Sequence, residues 1–141
     1  MYRSITEHLQ RRGDLLLSGR YEELSRLYLL PQALYLSDSP WVLRDTADVV
    51  AAMGRLHQML RERQILSCIP TVMAMQLPRK GRFRAWVRWS EFSADPSQNG
   101  SSEVVYYFRE TPNGLKTEML EFKELSLPEF RQIVPNRLRT A

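Results

Sequence analysis

PRKGRFRAWVRW, residues 78–89, sets four arginines and a lysine around two tryptophans and a phenylalanine. Two readings compete for it: a nucleic-acid-binding stretch, or one strand of a sheet that is basic on one side. Read with a period of two, Arg82, Arg84, Trp86, Arg88 and Ser90 share one face, and Phe83, Ala85, Val87, Trp89 and Glu91 the other. The strand reading therefore predicts an apolar face turned to a core. Its other face is an outer stripe of guanidinium groups around an indole, which stack well on one another.

The flanking sequence favours the strand. After residue 64 the apolar period drops from near 3.6 to near 2, and Lys80-Gly81, Asn99-Gly100 and Asn113-Gly114 divide the remainder into runs of about 65–77, 82–93, 103–111 and 115–124. Short turns join antiparallel neighbours, so the expectation is a meander. At the last hairpin a two-residue turn at Asn113-Gly114 predicts Arg109 opposite Glu118, and a three-residue turn including Pro112 predicts Glu110 opposite Lys116.

Upstream, Ser4-Ile5-Thr6-Glu7 has the form of a capping box, and Ile5, Leu9 and Leu16 fall near one face of a helix that stops at Ser18-Gly19. Leu24, Leu27 and Tyr28 predict a second, shorter helix ended by Pro31. Residues 33–36 and 41–44 read as a small hairpin around Ser37-Asp38-Ser39-Pro40. Asp45 or Thr46 then caps a helix whose stripe runs Val49, Met53, Leu56 and Leu60 to near Arg63. Beyond the sheet, Ser126-Leu127-Pro128-Glu129 predicts a short helix through Phe130 and Ile133, stopped by Pro135, and residues 136–141 read as a solvated tail.

A chain of 141 residues, 43% hydrophobic and 26% charged, suits one globular domain spanning 1–141. The net charge of +4 is the small difference between 20 basic and 16 acidic residues, which speaks against a polybasic nucleic-acid binder. Cys68 is the single cysteine, so neither an intramolecular disulfide nor a thiolate metal cluster is available, and a reducing compartment suits it. The N-terminal MYRSITEHLQRR has no apolar core of a signal peptide, and no apolar run approaches the roughly 18 residues of a membrane span. The expectation is a cytoplasmic protein without membrane contact.

Two helices, a short strand pair, one amphipathic helix and a long meander form the order of elements of the NTF2-like superfamily, the SnoaL-like or cystatin-like α+β cone. Gly19-Arg20-Tyr21-Glu22-Glu23-Leu24 and Leu27-Tyr28-Leu29-Leu30-Pro31-Gln32-Ala33-Leu34-Tyr35 resemble the superfamily's segment in which a short helix delivers the chain into the first strand. Arg44-Asp45-Thr46-Ala47-Asp48-Val49-Val50 is similar to the start of its third helix. The resemblance implies helices in the concavity of a curved, mainly antiparallel sheet, with an apolar pocket and frequent dimerisation through the outer sheet face. It also implies a range of functions, from isomerases, dehydratases and hydrolases to domains that only bind or dimerise, among which fold does not choose.

Three functions are therefore carried forward: a homodimeric cone binding a small apolar or amphipathic molecule, an enzyme of the isomerase, dehydratase or hydrolase kind, and a non-catalytic interaction domain with a filled core. His57, at the border of the third-helix stripe, is the candidate general acid or base; the plainer reading is a core-edge histidine bonded to a carbonyl. Asp38 is the candidate carboxylate, near where some members of the resembled family place one, and it also sits in an ordinary turn sequence. Tyr28 and Tyr35 are candidate polarisers of a ligand oxygen, and Trp41, Met53 and Trp89 candidate pocket walls, each explained as well by core packing. Arg84, Trp86 and Arg88 are the candidate dimer face. No residue pattern calls for a cofactor or metal: His8 and His57 are far apart, and phosphate-loop, nucleophile-elbow and dinucleotide motifs are missing. Asn99-Gly100-Ser101 matches a glycosylation sequon but reads as turn chemistry.

Overall fold

A computed structural model describes residues 2–36 and 39–124. Helices α1 (Tyr2–Leu17) and α2 (Tyr21–Ser25) lead into strands β1 (Tyr28–Leu36) and β2 (Ser39–Leu43), followed by helix α3 (Thr46–Glu62). Strands β3 (Ile65–Met75), β4 (Arg82–Ser93), β5 (Gly100–Thr111) and β6 (Gly114–Glu124) complete a six-stranded sheet of order β2-β1-β6-β5-β4-β3. Every pairing is antiparallel except β1 with β6, so β1 closes the first hairpin onto the meander through one parallel contact. This is the α+β cone expected: a curved, open mixed sheet with helices on its concave side.

Alternation on β4 follows the sequence. Phe83, Ala85, Val87 and Glu91 are buried on the inner face, while Arg82 and Arg88 are exposed on the outer one. Ile5 and Leu9 of α1, Val49, Ala52 and Met53 of α3, and Val104, Tyr106 and Phe108 of β5 belong with Phe83, Ala85 and Val87 to one core. Asp45 caps α3 by accepting from the Asp48 amide at 2.9 Å, and Asp48 in turn accepts from the Arg44 amide at 3.0 Å. The Lys80-Gly81 turn forms with both residues at positive φ, 55° and 75°, as a tight hairpin turn matching the strand twist requires.

Several local expectations are corrected. Helix α1 is already formed at Tyr2, so Ser4 lies within its first turn. Pro31 does not end a helix; α2 stops at Ser25, and Pro31 lies inside β1 after a cis peptide bond, where the pairing with β6 is irregular. The helical spacing of Leu24, Leu27 and Tyr28 is overridden because the Leu27 carbonyl accepts from the Thr117 amide at 2.8 Å, drawing the chain into the sheet. Strand β5 begins at Gly100, since a 3-10 turn at Pro96–Gln98 carries the reversal and the Asn99 side chain accepts from the Ser93 amide. The last hairpin turns at Pro112-Asn113, pairing Thr111 with Gly114 and Arg109 with Lys116. Neither predicted register is adopted, yet Arg109 still reaches Glu118 diagonally at 3.6 Å. The helix predicted over 126–133 and the tail 136–141 lie outside the described residues.

Candidate functional site

Between α1, α3 and the inner sheet face lies a cavity of about 90 Å³. One water needs roughly 10–15 Å³ by this kind of measure, so the space takes a small organic molecule or a file of waters. Its walls are mainly apolar: Leu24, Leu34, Met53, Leu60 and Leu120 contribute, with the Trp89 ring alongside. Gly13 lets α1 come this close, because a Cβ there would stand 3.1 Å from Trp89 Cζ3. A glycine inside a helix costs about 1 kcal/mol against alanine, a cost offset here by the ring it admits.

Polar groups enter the cavity at two places. Arg12, on the apolar face of α1, is only 6% exposed. Its guanidinium carbon lies 4.4 Å from the Tyr28 ring centroid and 5.1 Å from that of Tyr106, and Nη1 donates to Thr117 Oγ1 at 3.3 Å. Among the described residues no carboxylate pairs with Arg12. A desolvated cation–π contact contributes about 2 kcal/mol, against an effective burial penalty of several kcal/mol per ion. The two aromatic rings and the hydroxyls of Thr117 and Tyr106 thus offset much of the cost of burying this charge. Burial raises the pKa of both phenols, with Arg12 pulling each back, so both remain protonated donors at neutral pH. Tyr106 accepts from Trp89 Nε1 at 2.7 Å, which leaves its own proton to give; the Tyr28 hydroxyl meets the Met53 sulfur at 3.8 Å.

At the second place Glu91 is buried on β4, 3.6 Å from Arg63 Nη1, and accepts from Ser102 Oγ at 3.4 Å. Cys68 stands nearby, its pKa pushed up to about 12 by burial and then by the Glu91 carboxylate. The shift favours the thiol over the nucleophilic thiolate.

The sequence candidates divide accordingly. Tyr28, Met53 and Trp89 line the cavity. Trp41 is buried opposite Leu34 without being part of the wall, and its indole N–H has no partner among the described residues. Tyr35 falls on the other sheet face, since strand alternation gives the interior to Leu34 and Leu36. Asp38 lies outside the described residues. His57 is buried on α3 but is not in the cavity wall; its Nδ1 meets the Tyr21 hydroxyl at 2.5 Å, and burial followed by Arg61 lowers its pKa. The imidazole and the cavity's oxygens therefore do not converge. Arg84 stacks on Trp86 at 5.3 Å and Tyr107 at 5.7 Å, while Arg88 pairs with Glu103 and Arg82 with Glu118, each at 3.1 Å. The basic stripe is thus answered by acids and aromatics of its own sheet.

Arg12, Gly13, Glu91, Ser102 and Tyr106 belong to the site without having been candidates. The legible signal for Arg12 was its spacing: Ile5, Leu9, Arg12 and Leu16 recur at helical intervals, which puts a charge inside an apolar stripe. Among the described residues no group of three or more His, Cys, Asp and Glu side chains is arranged to hold a metal ion, and no helix is long and apolar enough to cross a membrane.

No protein-family model and no curated protein matches the sequence. Solved structures do match in fold. An NTF2-like protein with a cystatin-like fold from Novosphingobium aromaticivorans is similar at TM-score 0.69 and 21% identity, over 88% of this chain and 81% of that one. An NTF2-like protein of unknown function from Shewanella oneidensis is similar at 0.66 and 10%, over 86% and 97%. A domain of unknown function with a cystatin-like fold from Nostoc punctiforme is similar at 0.64 and 12%, over 88% and 76%. At such identities the likeness is one of fold, and the chain has the NTF2-like, cystatin-like fold.

Proposed function

We propose that this NTF2-like cone binds a small, largely apolar molecule in its interior and works as a homodimer through the outer face of its sheet. The observation that carries the reading is the cavity itself: about 90 Å³ lies between Leu34, Met53, Leu60 and Trp89, with few polar groups in the wall. Tyr28, Met53 and Trp89 are its ligand contacts. The dimer rests on Ile69, Met73 and Phe92, exposed apolar side chains beside the Arg84, Trp86 and Arg88 stripe. A cytoplasmic setting goes with this reading, because the single Cys68 thiol needs no oxidising compartment.

Native mass spectrometry of gently purified protein tests both halves. A dimer carrying a discrete extra mass of small-molecule size is the expected result. A monomer without added mass, at micromolar concentration, overturns it. Catalysis through His57 gains no comparable support, since its partner Tyr21 and the ring itself stand apart from the cavity.

A further inference from the structure

The polar groups at the α1 end of the cavity are a guanidinium and the hydroxyls around it. Arg12 is a buried guanidinium whose hydrogen bonds among the described residues go to the Thr117 and Tyr106 hydroxyls, neither of which carries a negative charge. Among the described residues Tyr28 gives its proton to a thioether sulfur, and Tyr106 accepts from the Trp89 indole and from Arg12. His8, one turn before Arg12 on the same helix, brings no counter-charge, and Lys116 adds a second cation to its surroundings. The acid in the cavity wall, Glu91, already faces Arg63. A cation and two phenolic donors, with the Glu91 carboxylate turned to Arg63, are complementary to an anionic oxygen pair, and the apolar continuation past Met53, Leu34 and Leu60 accepts a hydrocarbon body.

The geometry points to a monocarboxylate with an apolar tail as the ligand class of this cone, its carboxylate seated on Arg12 between Tyr28 and Tyr106. This deepens the cone reading and rests on it. One guanidinium matches one negative charge, and a carboxylate matches the planar fork of donors that arginine presents. Neutral molecules of the same skeleton would fill the apolar wall but leave the buried cation uncompensated.

Isothermal titration at pH 7 with 3-phenylpropanoate and 3-phenylpropan-1-ol separates the two claims, because the probes share a skeleton and differ in charge. The expected result is at least about tenfold tighter binding of the carboxylate, a preference that disappears or reverses in Arg12→Met and survives in Arg12→Lys. Equal affinities in the unaltered protein, or tighter binding of the alcohol, overturn the carboxylate assignment while the cone reading stands. Binding of neither probe overturns both. Should Arg12→Met fail to fold, the wild-type comparison and Arg12→Lys decide the question by themselves.

Discussion

His8 allows a worked prediction of how this core responds to acid. Its ring meets Phe108 edge-on at 5.3 Å, its Nε2 is buried with no partner among the described residues, and its pKa is lowered to about 3 by burial and then by Arg12 and Lys116. In the unfolded chain the same imidazole takes its proton near pH 6.5. As pH falls below 6.5 the unfolded state binds a proton that the folded state refuses. The stability that neutral His8 contributes is therefore full above about 6.5 and is lost progressively toward pH 3. Each pH unit in that window is worth up to about 1.4 kcal/mol, so moving from pH 6.5 to 5 costs at most about 2 kcal/mol, and solvent reaching the half-buried ring lowers the figure. Urea denaturation at pH 7.5, 6.5, 5.5 and 5.0 should show a steeper loss in the wild type than in His8→Leu. His57, also held below its ordinary pKa, titrates in both proteins and cancels in the difference. Parallel stability curves for the two proteins would refute the reasoning.

Other expectations are as direct. Gly13→Ala gains about 1 kcal/mol of helix propensity and loses a similar amount to the new Cβ against Trp89, so denaturation should show a change within about 1 kcal/mol while 3-phenylpropan-1-ol binds more weakly. Unchanged affinity would mean that the Trp89 wall does not bound the ligand. Asp45→Ala removes the α3 cap and should cost about 1 kcal/mol in urea denaturation; a neutral result would show that solvent replaces it. Trp86→Ala with Arg88→Ala should weaken self-association in sedimentation without changing far-UV circular dichroism, and unchanged mass would return the stripe to solvent.

The fold was legible where one periodicity dominated a long segment. The alternation of Phe83, Ala85, Val87 and Glu91 placed β4's inner face correctly, and Asp45 marked the start of α3. Legibility failed where long-range pairing decided a short segment: Leu27 joins β6 through Thr117, which no local pattern announces, and the last hairpin chose Pro112-Asn113 over the glycine-containing turn. The site was half visible for a similar reason. Tyr28, Met53 and Trp89 are conspicuous as residue types, whereas Arg12 signifies something only once β1 and β5 bring Tyr28 and Tyr106 against it. Tyr35 was named as a residue type, and its odd-numbered position on β1 puts it on the face opposite Tyr28, Leu34 and Leu36.

Methionine methyl groups supply a direct reading of the cavity claim, because they sample different surfaces: Met53 lines the cavity, Met59 is buried away from it, and Met73 is exposed on the outer face. Titrating 3-phenylpropan-1-ol into protein labelled with carbon-13 at the methionine methyls should shift Met53 in a saturable way and leave Met73 in place. Shifts at Met73 alone, or none at any methionine up to millimolar probe, would contradict a ligand-binding cone.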